Sequence, residues 1–176
     1  MATMIREERG AVRTEQAVQY VWGVLRLAMG WTFLWSFIDK LFGLGFSTPS
    51  GSGWIDGGSP TAGFLGFATK GPFAELFKDM AGSPVVEWMF MMCLLGVGLA
   101  LMLGIGVRIA AASGAAMYLL ISIAGYLPPE HNPFLDEHLI FPVLLLGLAL
   151  INSGRFLGLG KLWERIPMVE RFPLLR

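Results

Sequence analysis

The chain has 176 residues, of which 55% are hydrophobic and 15% charged, and its formal net charge is zero. A mean hydropathy of +0.62 lies outside the range of an ordinary water-soluble domain, and nothing in the composition points to nucleic acid as a partner. Cys93 is the single cysteine, which excludes an intrachain disulfide and a cysteine cluster for zinc or an iron–sulfur centre and leaves a buried apolar thiol as its reading.

Four apolar stretches, at about 19–42, 85–104, 107–127 and 133–153, are each about long enough to cross a bilayer. They predict an all-α, polytopic membrane four-helix bundle forming one domain. Arg6, Arg9 and Arg13 precede the first stretch, Arg108 lies between the second and third, and Arg155, Lys161, Arg165, Arg171 and Arg176 follow the fourth. The opposite side receives only Lys70 and Lys78, and the Pro128–Asn132 loop has no Lys or Arg. The positive-inside rule therefore predicts a multi-pass cell-membrane protein with N- and C-termini cytoplasmic. The first apolar run is too long for the core of a signal peptide and reads as a retained anchor.

Arg26 sits about two turns into the first stretch, some 10 Å deep at 1.5 Å per residue, where either snorkelling or a bundle-facing partner satisfies it. Asp39 and Lys40 close that stretch. The outer loop 43–84 begins rich in Gly, Ser and Pro and then places Phe73, Leu76, Phe77 and Met80 at i, i+3, i+4 and i+7, one apolar face of a short amphipathic helix. That helix is expected as an interfacial anchor or as a lid over an outward-facing site.

Glu87 opens the second stretch. Gly96, Ala100 and Gly104 recur along it, facing a third stretch lined by Ala111, Ala112, Ala115 and Ala116, and only Ile105–Gly106 separates the two. A tight antiparallel hairpin with close backbone approach is predicted, with Gly23 and Gly30 acting likewise on the first stretch. Gly96-x-Gly98 and Gly104-x-Gly106 lack the strand–turn–helix context of a nucleotide loop. In the fourth stretch Asn132 and Pro133 form a good N-cap and first position, which carries Asp136, Glu137 and His138 into the membrane. Pro142 cannot donate to the His138 carbonyl and should bend the helix there. A metal set of Glu130, His131, Asp136 and His138 has no standard ligand spacing, so no metal site is assigned. The tail 155–176 mixes apolar and basic residues between Pro167 and Pro173 and should lie on the anionic inner leaflet or dock a cytoplasmic subunit.

If the bundle closes, His138, Lys40, Asp39, Glu87 and Asp136 converge at one depth on the outer side, a set suited to proton-coupled chemistry. Arg26, Trp31, Trp35, Phe37, Trp88 and Phe141 are the candidates for contact with substrate or with a flat apolar ligand such as a quinone head group.

The segment Leu25-Arg-Leu-Ala-Met-Gly-Trp-Thr-Phe-Leu-Trp-Ser-Phe-Ile-Asp-Lys-Leu-Phe-Gly43 and the segment Asn132-Pro-Phe-Leu-Asp-Glu-His138 resemble the first-helix pattern and fourth-helix entry of the DoxX/DoxD family. The resemblance spans nearly all of the chain and carries over Arg26, Gly30, Lys40, Asp136 and His138. Ser36 and Phe37 depart from it, standing where small residues are expected. It implies a four-helix membrane protein linked to thiosulfate or other sulfur oxidation that feeds electrons to quinone, as one subunit of an oxidoreductase. Two other readings stand beside it: a non-catalytic scaffold for redox or stress-response partners, and a small-solute carrier, disfavoured by the lack of an internal repeat. The partners expected are the lipid bilayer and a second oxidoreductase subunit or further copies of the chain. No resident cofactor is identifiable, quinone entering only as electron acceptor.

Overall fold

The computed structural model describes residues 2–126 and 134–176, with side chains at Val12 and from Thr14 onward. The described residues form helices and connecting turns with no strand. Helix α1 runs Ala2–Phe42, α3 Pro84–Leu103, α4 Val107–Ile121 and α5 Glu137–Leu150; short α2 (Ala74–Asp79) lies in the long loop, and α6 (Gly160–Trp163) and α7 (Pro167–Arg171) lie in the tail. Three segments, Thr14–Phe42, Pro84–Leu103 and Val107–Tyr126, are long and apolar enough to cross a membrane.

The boundaries follow from local chemistry. Gly43, at φ +61°, stops α1 in the left-handed region that a residue with a Cβ resists, and its N–H donates to Asp39 O at 2.8 Å. Pro84 opens α3, and Gly104 and Gly106, both with positive φ, flank Ile105 in the predicted tight turn into α4. The fourth stretch differs from expectation. Phe134–Asp136 is non-helical, and α5 begins only at Glu137, because the Asp136 carboxylate accepts the Leu139 N–H and caps the helix there. Its 14 residues span about 21 Å, short of a hydrocarbon core of about 30 Å. The Pro128–Asn132 loop, with Glu130, His131, the Asn132 cap and Pro133, lies outside the described residues.

Helix α1 packs on α3, α3 on α4, and α4 on α5. The core between them contains Phe33, Met91, Leu101 and Leu145, each at most 1% exposed. Close approach is real: Gly30 makes it as expected and Gly104 meets Gly154, while Gly98 and Gly114 add contacts that the small-residue repeat does not indicate. A methyl group on Gly30 would lie 2.9 Å from Met102 N, and one on Gly98 would lie 2.8 Å from Leu34 N, so α1 and α3 touch backbone to backbone at both points. One on Gly114 of α4 would meet the Phe33 ring at 2.9 Å. Gly96, by contrast, has nothing within 4 Å, Ala112 and Ala116 are exposed, and only Ala111 and Ala115 turn inward. Outward faces of the long helices carry Val24, Met89, Met92, Leu120, Val143 and Leu146, each more than 40% exposed. Such a belt is at home in lipid rather than in water.

The chain reversals at α3–α4 and after α5 gather at one end, which we call the basic end because Arg108, Arg155, Lys161, Arg165, Arg171 and Arg176 all belong to it. The loop end carries residues 43–83 and the entry to α5. The tail is folded rather than trailing. The Arg108 N–H donates to the Arg176 main-chain oxygen at 2.9 Å, its guanidinium donates to Pro173 O and Asn152 Oδ1, and Trp163 Nε1 donates to Leu175 O. In the long loop, α2 packs against the π-helical turn Phe64–Ala68, with Phe73 and Leu76 more than half exposed. Its apolar face is therefore offered outward, as an interfacial anchor would be.

Candidate functional site

Arg26, Asp39, Lys40, Glu87, Asp136 and His138 each have local partners of their own. Arg26 is fully buried, and its guanidinium donates to Leu101 O, to Met102 O at 3.2 Å, to Phe156 O at 3.0 Å and to Leu157 O at 2.9 Å. The reason lies in the end of α3, whose last four carbonyls have no helical partner. Ala100 O takes the N–H groups of Gly104 and Ile105, Leu103 O takes Leu159 N at 2.8 Å, and Arg26 takes the remaining two. The positive group also faces the negative end of the α3 dipole. Arg26 is thus a clamp between α1, α3 and the segment after α5, with no face open to substrate or quinone.

Asp39, 1% exposed, accepts the N–H groups of Phe46, Ser47 and Thr48 at 3.3, 2.9 and 2.9 Å and the Ser47 hydroxyl at 2.7 Å. This carboxylate organises the first turn of the long loop. Glu87 accepts the Ser59 hydroxyl, which itself accepts the Ala62 N–H, so it ties the middle of the same loop to the start of α3. Lys40 sits 6.0 Å over the Phe90 ring and makes no ion pair among the described residues. Asp39, Lys40, Glu87 and His138 all belong to the loop end, yet among the described residues no hydrogen bond or ion pair joins one to another. The expected single cluster is four separate contacts, because the loop's own N–H and O–H groups reach the carboxylates first.

The aromatic candidates are distributed in the same way. Trp31 pairs with Trp35 at 5.7 Å, Trp35 with Phe46 at 5.1 Å, and Trp88 with Trp54 at 4.6 Å, while Phe37 and Phe141 pack on the core. Among the described residues no ring contact joins the Trp31–Trp35–Phe46 group to the Trp54–Trp88 pair or to Phe141.

What the structure does assemble is centred on His138. Its Nδ1 lies 3.3 Å from Asp136 Oδ2, with both side chains largely buried at 14% and 16% exposure. The imidazole is stacked on Tyr126 at 4.0 Å and 19° and meets Tyr118 edge-on at 5.9 Å. Tyr118 in turn contacts Phe33 and Phe141, each at 5.3 Å, and Tyr126 stacks on Phe64 of the long loop at 6.1 Å. Two local irregularities create this arrangement. The end of α4 widens into a π-helical turn, Ser122–Tyr126, which swings Tyr126 over His138, and the loop turn Phe64–Ala68 docks on it with Lys70 N donating to Ala124 O at 2.9 Å. The Ser122 hydroxyl, one turn beyond Tyr118, is buried without a hydrogen-bond partner, a state that buried polar groups seldom adopt. Neither tyrosine was singled out in the sequence. A signal existed, since Tyr118 and Tyr126 are two of only three tyrosines in the chain.

Asp136, Glu137 and His138 place one donor atom each within 4.8 Å of one another. Both Asp136 oxygens already have partners, Leu139 N and His138, so the geometry is that of a capped, carboxylate-oriented histidine. An imidazole held by a carboxylate and walled by aromatic rings can take up and release a proton in a sheltered place. Comparison of the chain with protein-family models, with curated proteins and with solved structures finds no match in any of the three.

Proposed function

We propose that the chain is a DoxX/DoxD-like integral membrane protein that serves as the membrane subunit of a quinone-linked, thiosulfate-type oxidoreductase, with His138 and Asp136 as its proton-transferring pair. The observation that carries this reading is the His138–Asp136 contact enclosed by Tyr118 and Tyr126 at the loop end. Oxidation of two thiosulfate anions to tetrathionate releases two electrons and no proton, whereas reduction of quinone to quinol takes up two of each. A proton donor beside the quinone is therefore required. His138 is the residue placed for that task, because its imidazole is enclosed by Tyr118 and Tyr126 and Asp136 holds its ring. Lys40 supplies positive charge for a sulfur oxyanion at the same end.

The proposal includes four membrane crossings with the basic end cytoplasmic. Helix α5 alone is short, but non-helical Phe134–Asp136 adds up to about 10 Å to its roughly 21 Å. The clustering of Arg and Lys at the basic end supports the orientation.

Purified protein in detergent, assayed for thiosulfate-dependent reduction of a soluble quinone, tests the reading. His138→Gln should lower kcat at least about a hundredfold with unchanged melting temperature. Unchanged activity in both His138→Gln and Lys40→Gln removes the site, and absence of thiosulfate-dependent activity in the wild-type preparation removes the enzyme class. A second reading, a non-catalytic scaffold, is favoured by the tail, where Leu162, Met168, Phe172 and Leu174 are all more than half exposed beside Lys161, Arg165 and Arg171. Stoichiometric partners that co-purify and are lost when Lys161, Arg165 and Arg171 are changed to Gln decide for it.

A further inference from the structure

On the outer face of α3 and α4 lies a groove that the chemistry at the loop end does not use. It encloses about 570 Å³ and is floored by Gly96 and Ala100 of α3 and by Ala110 and Ser113 of α4, with Trp163 and Leu175 of the folded tail at its basic end. From Met92 to Ala100 it follows α3 for about 12 Å. Gly96 has nothing within 4 Å of where a Cβ would stand, so the floor is bare backbone.

Trp163 also lines a second, smaller recess, together with Arg155, Glu164 and Arg176. Arg155 pairs with Glu164 at 3.5 Å, whereas among the described residues the Arg108 guanidinium donates to the neutral acceptors Pro173 O and Asn152 Oδ1. The Arg176 Nε is buried without a hydrogen-bond partner. Among the described residues this corner therefore sets the guanidinium groups of Arg108, Arg155 and Arg176 against two carboxylates, that of Glu164 and the main-chain carboxyl group of Arg176, which leaves a net excess of one positive charge at the point where an apolar groove ends.

We propose that the groove is a binding site for one anionic phospholipid, an acyl chain lying along Gly96 and Ala100 and the phosphate meeting Arg176 and Arg108 beside Trp163. An apolar slot that terminates in uncompensated positive charge matches a molecule that is apolar along its length and negative at one end. A second copy of the chain fits less well. Two copies inserted the same way and facing each other across this groove would be related by an axis along the membrane normal, which brings each arginine corner against its own like charge.

Native mass spectrometry of the intact protein, released from micelles holding equal phosphatidylglycerol and phosphatidylcholine, tests the site. One phosphatidylglycerol is expected to be retained in preference. Arg176→Gln should reduce that preference about fivefold. Gly96→Phe, which fills the groove where no atom stands, should abolish retention without changing the melting temperature. Equal retention of the two lipids, undiminished retention in Gly96→Phe, or ready oxidation of Cys93 to a disulfide between two copies would overturn the proposal. Should Gly96→Phe fail to fold, the wild-type chain still decides: Cys93 lines the groove, so phosphatidylglycerol but not phosphatidylcholine should slow its alkylation by N-ethylmaleimide, and equal rates overturn the site.

Discussion

The two ends of the molecule treat buried polarity in opposite ways. At the basic end a single guanidinium closes the account of an entire helix terminus: every orphan carbonyl of α3 has a named donor, and Arg26 reaches the segment after α5 as well. At the loop end polarity is divided among small local contacts, one carboxylate per loop turn, and one histidine lies between two tyrosines with a single hydrogen-bond partner among the described residues. A group surrounded by four main-chain acceptors has no freedom to do chemistry. A group oriented by one partner does.

The comparison is broken most directly at Arg26. Arg26→Met strands carbonyls on two segments, and its melting temperature in detergent should fall by on the order of 10 °C; a small change would show that the clamp is dispensable. Next in size are the helix contacts. Gly98→Leu drives a side chain into Leu34 and should cost about 2–3 kcal/mol, whereas Gly96→Leu, two residues away on the groove floor, should cost almost nothing. Equal effects in chemical denaturation would mean that the α1–α3 approach is not the tight one described. Asp39→Ala removes the acceptor for three N–H groups and should destabilise by about 2 kcal/mol, with faster proteolysis confined to residues 43–48; protection equal to wild type would separate the carboxylate from the loop. The smallest effect on stability is expected at the loop-end histidine. Tyr126→Leu, which removes the stacked ring but keeps the apolar volume, should move the melting temperature by a few degrees at most while lowering kcat for quinone reduction. A large loss of stability there, with kcat unaltered, would make His138 another structural tie.

Three of the four apolar spans, the hairpin and the short loop helix were legible because hydrocarbon imposes a length on apolar runs and glycine imposes turns. Details that depend on which neighbour arrives first were not. Asn132 and Asp136 are equally good caps on paper, and what chooses Asp136 is the reach of its carboxylate to Leu139 N. Gly96 and Gly98 sit in one small-residue run, yet two residues along a helix is more than half a turn, so only one of them meets α1. Asp39 and Glu87 read as chemical groups until the serines and N–H groups of a long, composition-poor loop fold onto them. Tyr126 escaped notice because the π-helical turn changes its direction, and no ordinary helical spacing would have set it over His138.

The reach of Arg26 bears on biosynthesis. Its partners Phe156 and Leu157 are 130 and 131 residues further along the chain, so at about 5–20 residues per second the ribosome delivers them on the order of 10 s after the guanidinium has been made. For the second part of that interval the nascent chain offers the guanidinium only the Leu101 and Met102 carbonyls, 75 and 76 residues on, and two of its four final acceptors do not yet exist. A product interrupted before Phe156 leaves the guanidinium half-satisfied, so the clamp between α1 and α3 closes fully only when the segment after α5 has been made.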